Sequence, residues 1–172
     1  MTDTRPDIRW WLLGLLAFVI VIALSVAITG PDEVVLGIGE HQAAGSAVQV
    51  DEIQAQWRAG GVRTLAIVSM LGDLVFIGIY GWGSWQAGRS FMAMPGSVRM
   101  IGMLVAISAL IFLVTDYTET ILQVIQLLRE QGSDWMAAVA ATVRPVKVIA
   151  WIATFGGVLI ALAIRRFAAP TA

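Results

Sequence analysis

The chain has 172 residues, of which 58% are hydrophobic and only 13% charged, and its mean hydropathy is +0.81. This balance excludes an ordinary soluble domain, and a net charge of −1 supplies no basic field for nucleic acid. With no cysteine, disulfides, thiolate metal sites and a cysteine nucleophile are excluded as well.

Four apolar stretches set the architecture. A helical span needs about 20 apolar residues, so four spans and their loops nearly consume the chain. The expectation is an all-α, polytopic membrane four-helix bundle, a single integral membrane domain over residues 1–172, with a short amphipathic helix in the first outer loop. The first span runs from about Trp10 to Thr29, roughly 30 Å of helix. Arg5 and Arg9 ahead of it and Ser25-Val26-Ala27 near its end also fit a signal peptide, but the apolar run is long for one, and an anchor is expected.

Gly30 to Gly61 is polar and glycine-rich. A helix is expected from about Ser46 to Ala59, because Val50, Ile53 and Trp57 fall at i, i+3 and i+7 and Gly60-Gly61 ends the pattern. It should lie on the membrane surface or cap the bundle, with Trp57 anchoring its apolar edge. His41, the sole histidine, sits beside Glu40 and reads as a solvated loop residue; joining both to the intramembrane acids as a metal site is the chemical alternative.

The second span covers about Thr64 to Trp85, and a short inner loop, Gln86 to Ser97, holds Gly88, Pro95 and Gly96. The third, about Val98 to Leu128, would measure ~46 Å as one helix, so it must tilt or project its polar C-terminal end. Between Arg129 and Arg144, Ser133 is a candidate N-cap for a helix from Asp134, and Pro145 either starts the fourth span (about Val146 to Ile164) or interrupts one continuous helix. Gly72, Gly78, Gly81, Gly83 and Gly156-Gly157 read as close helix approaches, and the tryptophans as interface anchors.

Lys and Arg near the span ends give the orientation. With the N-terminus inside, Arg5, Arg9, Arg89, Arg99, Arg165 and Arg166 are cytoplasmic, against Arg58, Arg63, Arg129, Arg144 and Lys147 outside. Both termini are therefore placed in the cytoplasm and the chain in the cell inner (plasma) membrane.

Acids deep within apolar spans carry the functional interest, because a carboxylate in hydrocarbon is costly. At 100° per residue, Ser108, Thr115, Asp116, Glu119, Gln123 and Gln126 share an arc of about 100° on the third span. On the second, Ser69, Asp73 and Tyr80 share a face. Asp73 and Glu119 each lie nine positions from the outer end of their span, so the acids share a depth. Three ionised carboxylates cannot occupy one apolar pocket unaided, and Lys147, at the outer start of the fourth span, has a stem long enough to reach them or to snorkel outward.

The segments Asp51-Glu52-Ile53-Gln54-Ala55-Gln56-Trp57, Gly72-Asp73-Leu74-Val75-Phe76 with Tyr80-Gly81, Asp116-Tyr117-Thr118-Glu119, and Lys147 resemble a family of uncharacterised bacterial four-helix integral membrane proteins. In that family the second span carries Asp before Tyr-Gly, the third Asp-x-x-Glu-Asn, and the fourth begins near a Lys. The similarity spans about Asp51 to Ile164, and Thr120 stands where the family has Asn. The resemblance implies the fold and the grouping of Asp73, Asp116, Glu119 and Lys147; it implies no activity.

The site expected is a carboxylate group of Asp73, Asp116 and Glu119, with Lys147 and Tyr80, binding a proton, small cation or cationic amphiphile. The competing reading is an accessory or assembly subunit whose acids lock the helices together and whose outer faces dock a membrane-protein partner or a second copy. Membrane lipid is a partner in either case. No cofactor or resident metal is expected, and with no nucleophile or metal-ligand motif among the acids an enzyme is not expected.

Overall fold

In a computed structural model, the protein is described over residues 5–168, and among these every regular element is a helix and no strand forms. Six helices follow one another: α1 (Arg9–Ile28), α2 (Ile38–Ala43), α3 (Ala47–Ala59), α4 (Arg63–Met92), α5 (Ser97–Arg129) and α6 (Asp134–Ala168). Four of them, α1, α4, α5 and α6, are long and apolar enough to cross a membrane.

The long helices pack in the order α1–α4–α5–α6, each against the next. The ring closes between α6 and α1 through aromatic side chains: Phe18 meets Trp151 at 5.3 Å and Trp11 meets Phe155 at 5.9 Å between ring centroids. At the far end from α2 and α3, α4 and α5 cross with backbones in contact. A Cβ on Gly88 would lie 2.7 Å from the Ala106 nitrogen, and one on Gly102 2.6 Å from the Met92 nitrogen. Gly88 is thus inside α4, not in a loop, and the connection to α5 shrinks to residues 93–96, where Gly96 supplies the left-handed φ of 70°. Of the glycines expected at helix contacts, Gly157 packs on Val105, whereas Gly156 has open space before it.

Helix α6 is continuous from Asp134 through Pro145. Proline has no N–H, so the ladder loses the bond it would make to the Ala141 carbonyl, and the expected short helix and fourth span merge. The ends of α5 and α6 project beyond the four-helix core and make, with α3, a second apolar core of Ile28, Val50, Ile53, Trp57, Leu127 and Ala137 among others. Here α3 forms as expected: Ser46 Oγ accepts the Gln49 N–H, Gly60 caps the end, and Gly61 turns the chain at φ 69°. Its start is clamped reciprocally to the α5–α6 turn, Asp134 accepting from the Ala47 N–H at 2.8 Å and Asp51 from the Gly132 N–H at 2.6 Å. Glu130, non-glycine at φ 54°, closes α5 with its carboxylate held by Arg63 at 2.9 Å.

Two interface assignments need correction. Trp57 is fully buried, its Nε1–H donating to the Leu36 carbonyl at 2.8 Å, so α3 caps the bundle with Trp57 as core and not as an edge anchor. Trp11 is buried too, while Trp10, Trp82 and Trp135 are exposed as anchors would be. His41 is not a solvated loop residue: it lies on α2, 1% exposed, its ring tilted against that of Trp57 at 5.0 Å between centroids.

Candidate functional site

Asp73 on α4, Asp116 and Glu119 on α5, and Lys147 on α6 come together just below the α2–α3 cap. Lys147 Nζ donates to Asp116 Oδ1 at 2.8 Å and to Glu119 Oε1 at 2.9 Å. All three are buried, so the Lys147 stem turns inward instead of snorkelling. The α5 stripe explains the grouping: Asp116, Glu119, Gln123 and Gln126 are all buried on one face, as their spacing requires. Ser108 and Thr115, in the same arc, are only half-buried, and Thr115 spends its hydroxyl on its own helix, donating to the Ile111 carbonyl at 2.7 Å.

Asp73 joins through Thr120, whose hydroxyl lies 3.2 Å from Asp73 Oδ2 and 3.5 Å from Asp116 Oδ1. One hydroxyl proton serves one carboxylate at a time; a proton on the other carboxyl would complete a bridge Asp73–Thr120–Asp116. Among the described residues no lysine or arginine is paired with Asp73. Glu119 Oε2 is buried with no hydrogen-bond partner. Fully ionised, three carboxylates and one ammonium leave the cluster with a surplus of negative charge, which burial makes expensive.

A cavity of about 320 Å³ adjoins the cluster, with Asp73, Asp116 and Lys147 in its wall. Its floor is aromatic, made by Phe18, Phe76, Phe112 and Trp151; its roof is α2, through Ile38, Gly39 and Gln42. The Ser25 and Ser69 hydroxyls, 3.3 Å apart, close the side between α1 and α4.

Tyr80 does not join the acids. It is fully buried beneath the floor, against the rings of Phe76, Phe112 and Trp151, with its hydroxyl 2.8 Å from Thr154 Oγ1. The shared face with Asp73 holds, but seven residues along a helix are about 10 Å of rise, enough to put the aromatic layer between them. Glu40 and His41 stay in the cap as well: Glu40 Oε2 accepts the Gly37 N–H at 2.8 Å, and neither ring nitrogen of His41 has a partner. Burial pushes the His41 imidazole down to about 4. Among the described residues, no three His, Asp or Glu side chains are arranged to hold a metal ion.

The sequence marks Thr120 only as the position where the resembled family has Asn, and does not reveal the aromatic floor or the α2 roof. Thr120 stands four residues after Asp116, on the same side of the helix, and that spacing was the available signal.

Fold and site together define an all-helical bundle with four helices suited to a membrane, enclosing a lysine-bridged carboxylate cluster beside a cavity. Comparison with models of known families, with curated proteins and with solved structures gave no match, so no family match stands behind the resemblance carried by the Asp73, Asp116 and Lys147 motifs.

Proposed function

We propose that the chain is a bacterial inner-membrane protein crossing the bilayer with α1, α4, α5 and α6, both termini cytoplasmic, and that its Asp73–Asp116–Glu119–Lys147 cluster binds a proton, a small cation or the head of a cationic amphiphile. The outward faces of the long helices support the membrane assignment: Leu16, Val19, Val26, Leu104, Val114 and Ile149 are all more than half exposed, a surface that hydrocarbon and not water would cover. One observation carries the site: the single lysine is shared by two carboxylates, while the third acid, Asp73, lines the same cavity and is ion-paired with no cation among the described residues. A proton or a bound cation supplies the missing charge. Tyr80 serves this reading only from behind, by fixing the cavity floor.

The same Lys147 bridge favours a second reading, an accessory subunit whose acids tie α5 to α6. Native mass spectrometry of the protein released from nanodiscs separates the two. A retained ion or small amphiphile that disappears in Asp116→Asn supports the binding site, as does a pH response lost in that variant; a bare chain without a pH response, or one carrying only another polypeptide or a second copy, supports the structural subunit.

A further inference from the structure

We infer that the cavity takes an organic monocation with an apolar body, its positive centre at Asp73 and its body on the aromatic floor, and that it enters sideways from the bilayer between α1 and α6. This rests on the proposed cation site and names its ligand class.

The wall chemistry selects the ligand. An anion has no free counter-charge there, since Lys147 already holds Asp116 and Glu119. A bare metal ion wants six or more oxygen ligands or a compact set of side chains, and no such group is assembled among the described residues. A neutral apolar molecule would leave Asp73 unpaired, at a desolvation cost. Asp73 Oδ2 meets only the Thr120 hydroxyl, and Oδ1 accepts no hydrogen bond from the described residues, so one carboxylate edge is open to the cavity. Phe18, Phe76 and Trp151 line the same cavity, and an aromatic ring attracts a cation held within about 6 Å of it. About 320 Å³ falls at the small end of ligand pockets, too roomy for a bare ion and sized for a compact organic cation.

The route follows from two residues. Ile22 of α1 and Val148 of α6 each line the cavity and are each close to half exposed, at 46% and 45%. They form the rim of an opening where α1 and α6 do not pack closely; the Phe18–Trp151 and Trp11–Phe155 ring pairs bridge these helices. That rim is apolar, so a ligand with an apolar body reaches it from the hydrocarbon.

Calorimetric titration of the full chain in nanodiscs tests this with benzyltrimethylammonium, its neutral isostere neopentylbenzene, and sodium. The expected result is saturable binding of benzyltrimethylammonium, weakened about tenfold or more by Asp73→Asn and by the rim-filling Ile22→Trp, with no binding of the isostere. Ile22 is nearly half exposed and uncharged, so its variant still decides the matter if Asp73→Asn fails to fold. Equal binding of the isostere, or a titration indifferent to both substitutions, overturns the inference. If the organic cation does not bind while sodium or a pH response lost in Asp116→Asn persists, the organic ligand is wrong and the proposed cation site stands. If nothing binds and no pH response exists, both fall.

Discussion

The half of the bundle around Tyr80 and the half around Asp73 use the same helices and treat buried polar groups in opposite ways. Around Tyr80 the polarity is neutral: its hydroxyl meets Thr154, which in turn donates to the Trp151 carbonyl at 2.8 Å, rings surround the pair, and the unpartnered polar atoms nearby, Trp11 Nε1, Ser84 Oγ and Trp151 Nε1, carry no charge. Farther along, the Gly88–Gly102 crossing packs backbone on backbone. Around Asp73 the polarity is charged and open: a lysine shared by two acids, a third acid without a cation, an unpartnered Glu119 oxygen and a cavity. A bundle needing only to hold together could have been built throughout like the first half. Unpaired charge beside empty volume is what a binding site keeps at the expense of stability.

Breaking the charged half should cost most. Lys147→Met leaves Asp116 and Glu119 without their cation and should lower stability by about 3–5 kcal/mol, read as thermal unfolding in nanodiscs. Adding Asp116→Asn and Glu119→Gln to it should recover most of that loss, since the charge and its penalty leave together.

The cap above the cavity should be sensitive to acid through His41. Its folded pKa of about 4 lies below the ordinary value of 6.5, so the neutral ring's contribution is present above pH 6.5. As pH falls from about 6.5 to about 4 the unfolded chain takes up a proton that the folded cap refuses, and about 3 kcal/mol is lost before the dependence flattens. Hydrogen exchange in α2 and α3 across that range should show the weakening, and His41→Phe should abolish its pH dependence.

The packed half responds to volume. Gly88→Ala forces a methyl against the Ala106 nitrogen and should cost about 1–3 kcal/mol, whereas Gly156→Ala, with nothing before it, should be neutral or gain up to about 1 kcal/mol of helix propensity. Tyr80→Phe should cost about 1 kcal/mol, for one neutral hydrogen bond, with cation binding unchanged. A large loss of binding in Tyr80→Phe would show that the two halves are coupled.

Much of this was legible in the sequence because helix period and hydropathy are local. The long apolar runs mark the four long helices, and the spacing of Asp116, Glu119, Gln123 and Gln126 marks the buried face of α5. Lys147 was ambiguous, since a flexible stem snorkels or turns inward according to what faces it. Which acid Lys147 takes, and which it leaves, depends on helix rotation, which no single helix records. The same holds for Tyr80, on the right face but one aromatic layer too far along, and for His41 and Trp57, where fifteen residues of polar-looking chain conceal a small apolar core. Pro145 shows the limit of local rules from the other side: a helix breaker is carried inside α6 because packing on both sides of it holds the helix.

The most direct test of the account is the melting temperature of Asp73→Asn, with and without benzyltrimethylammonium. If Asp73 is the counter-charge kept open for a cation, the variant melts at or above the wild-type temperature without ligand, because an unpaired buried charge is gone, and the cation raises the wild-type midpoint but not the variant's. A variant that melts well below wild type, or is stabilised by the cation to the same extent, contradicts it.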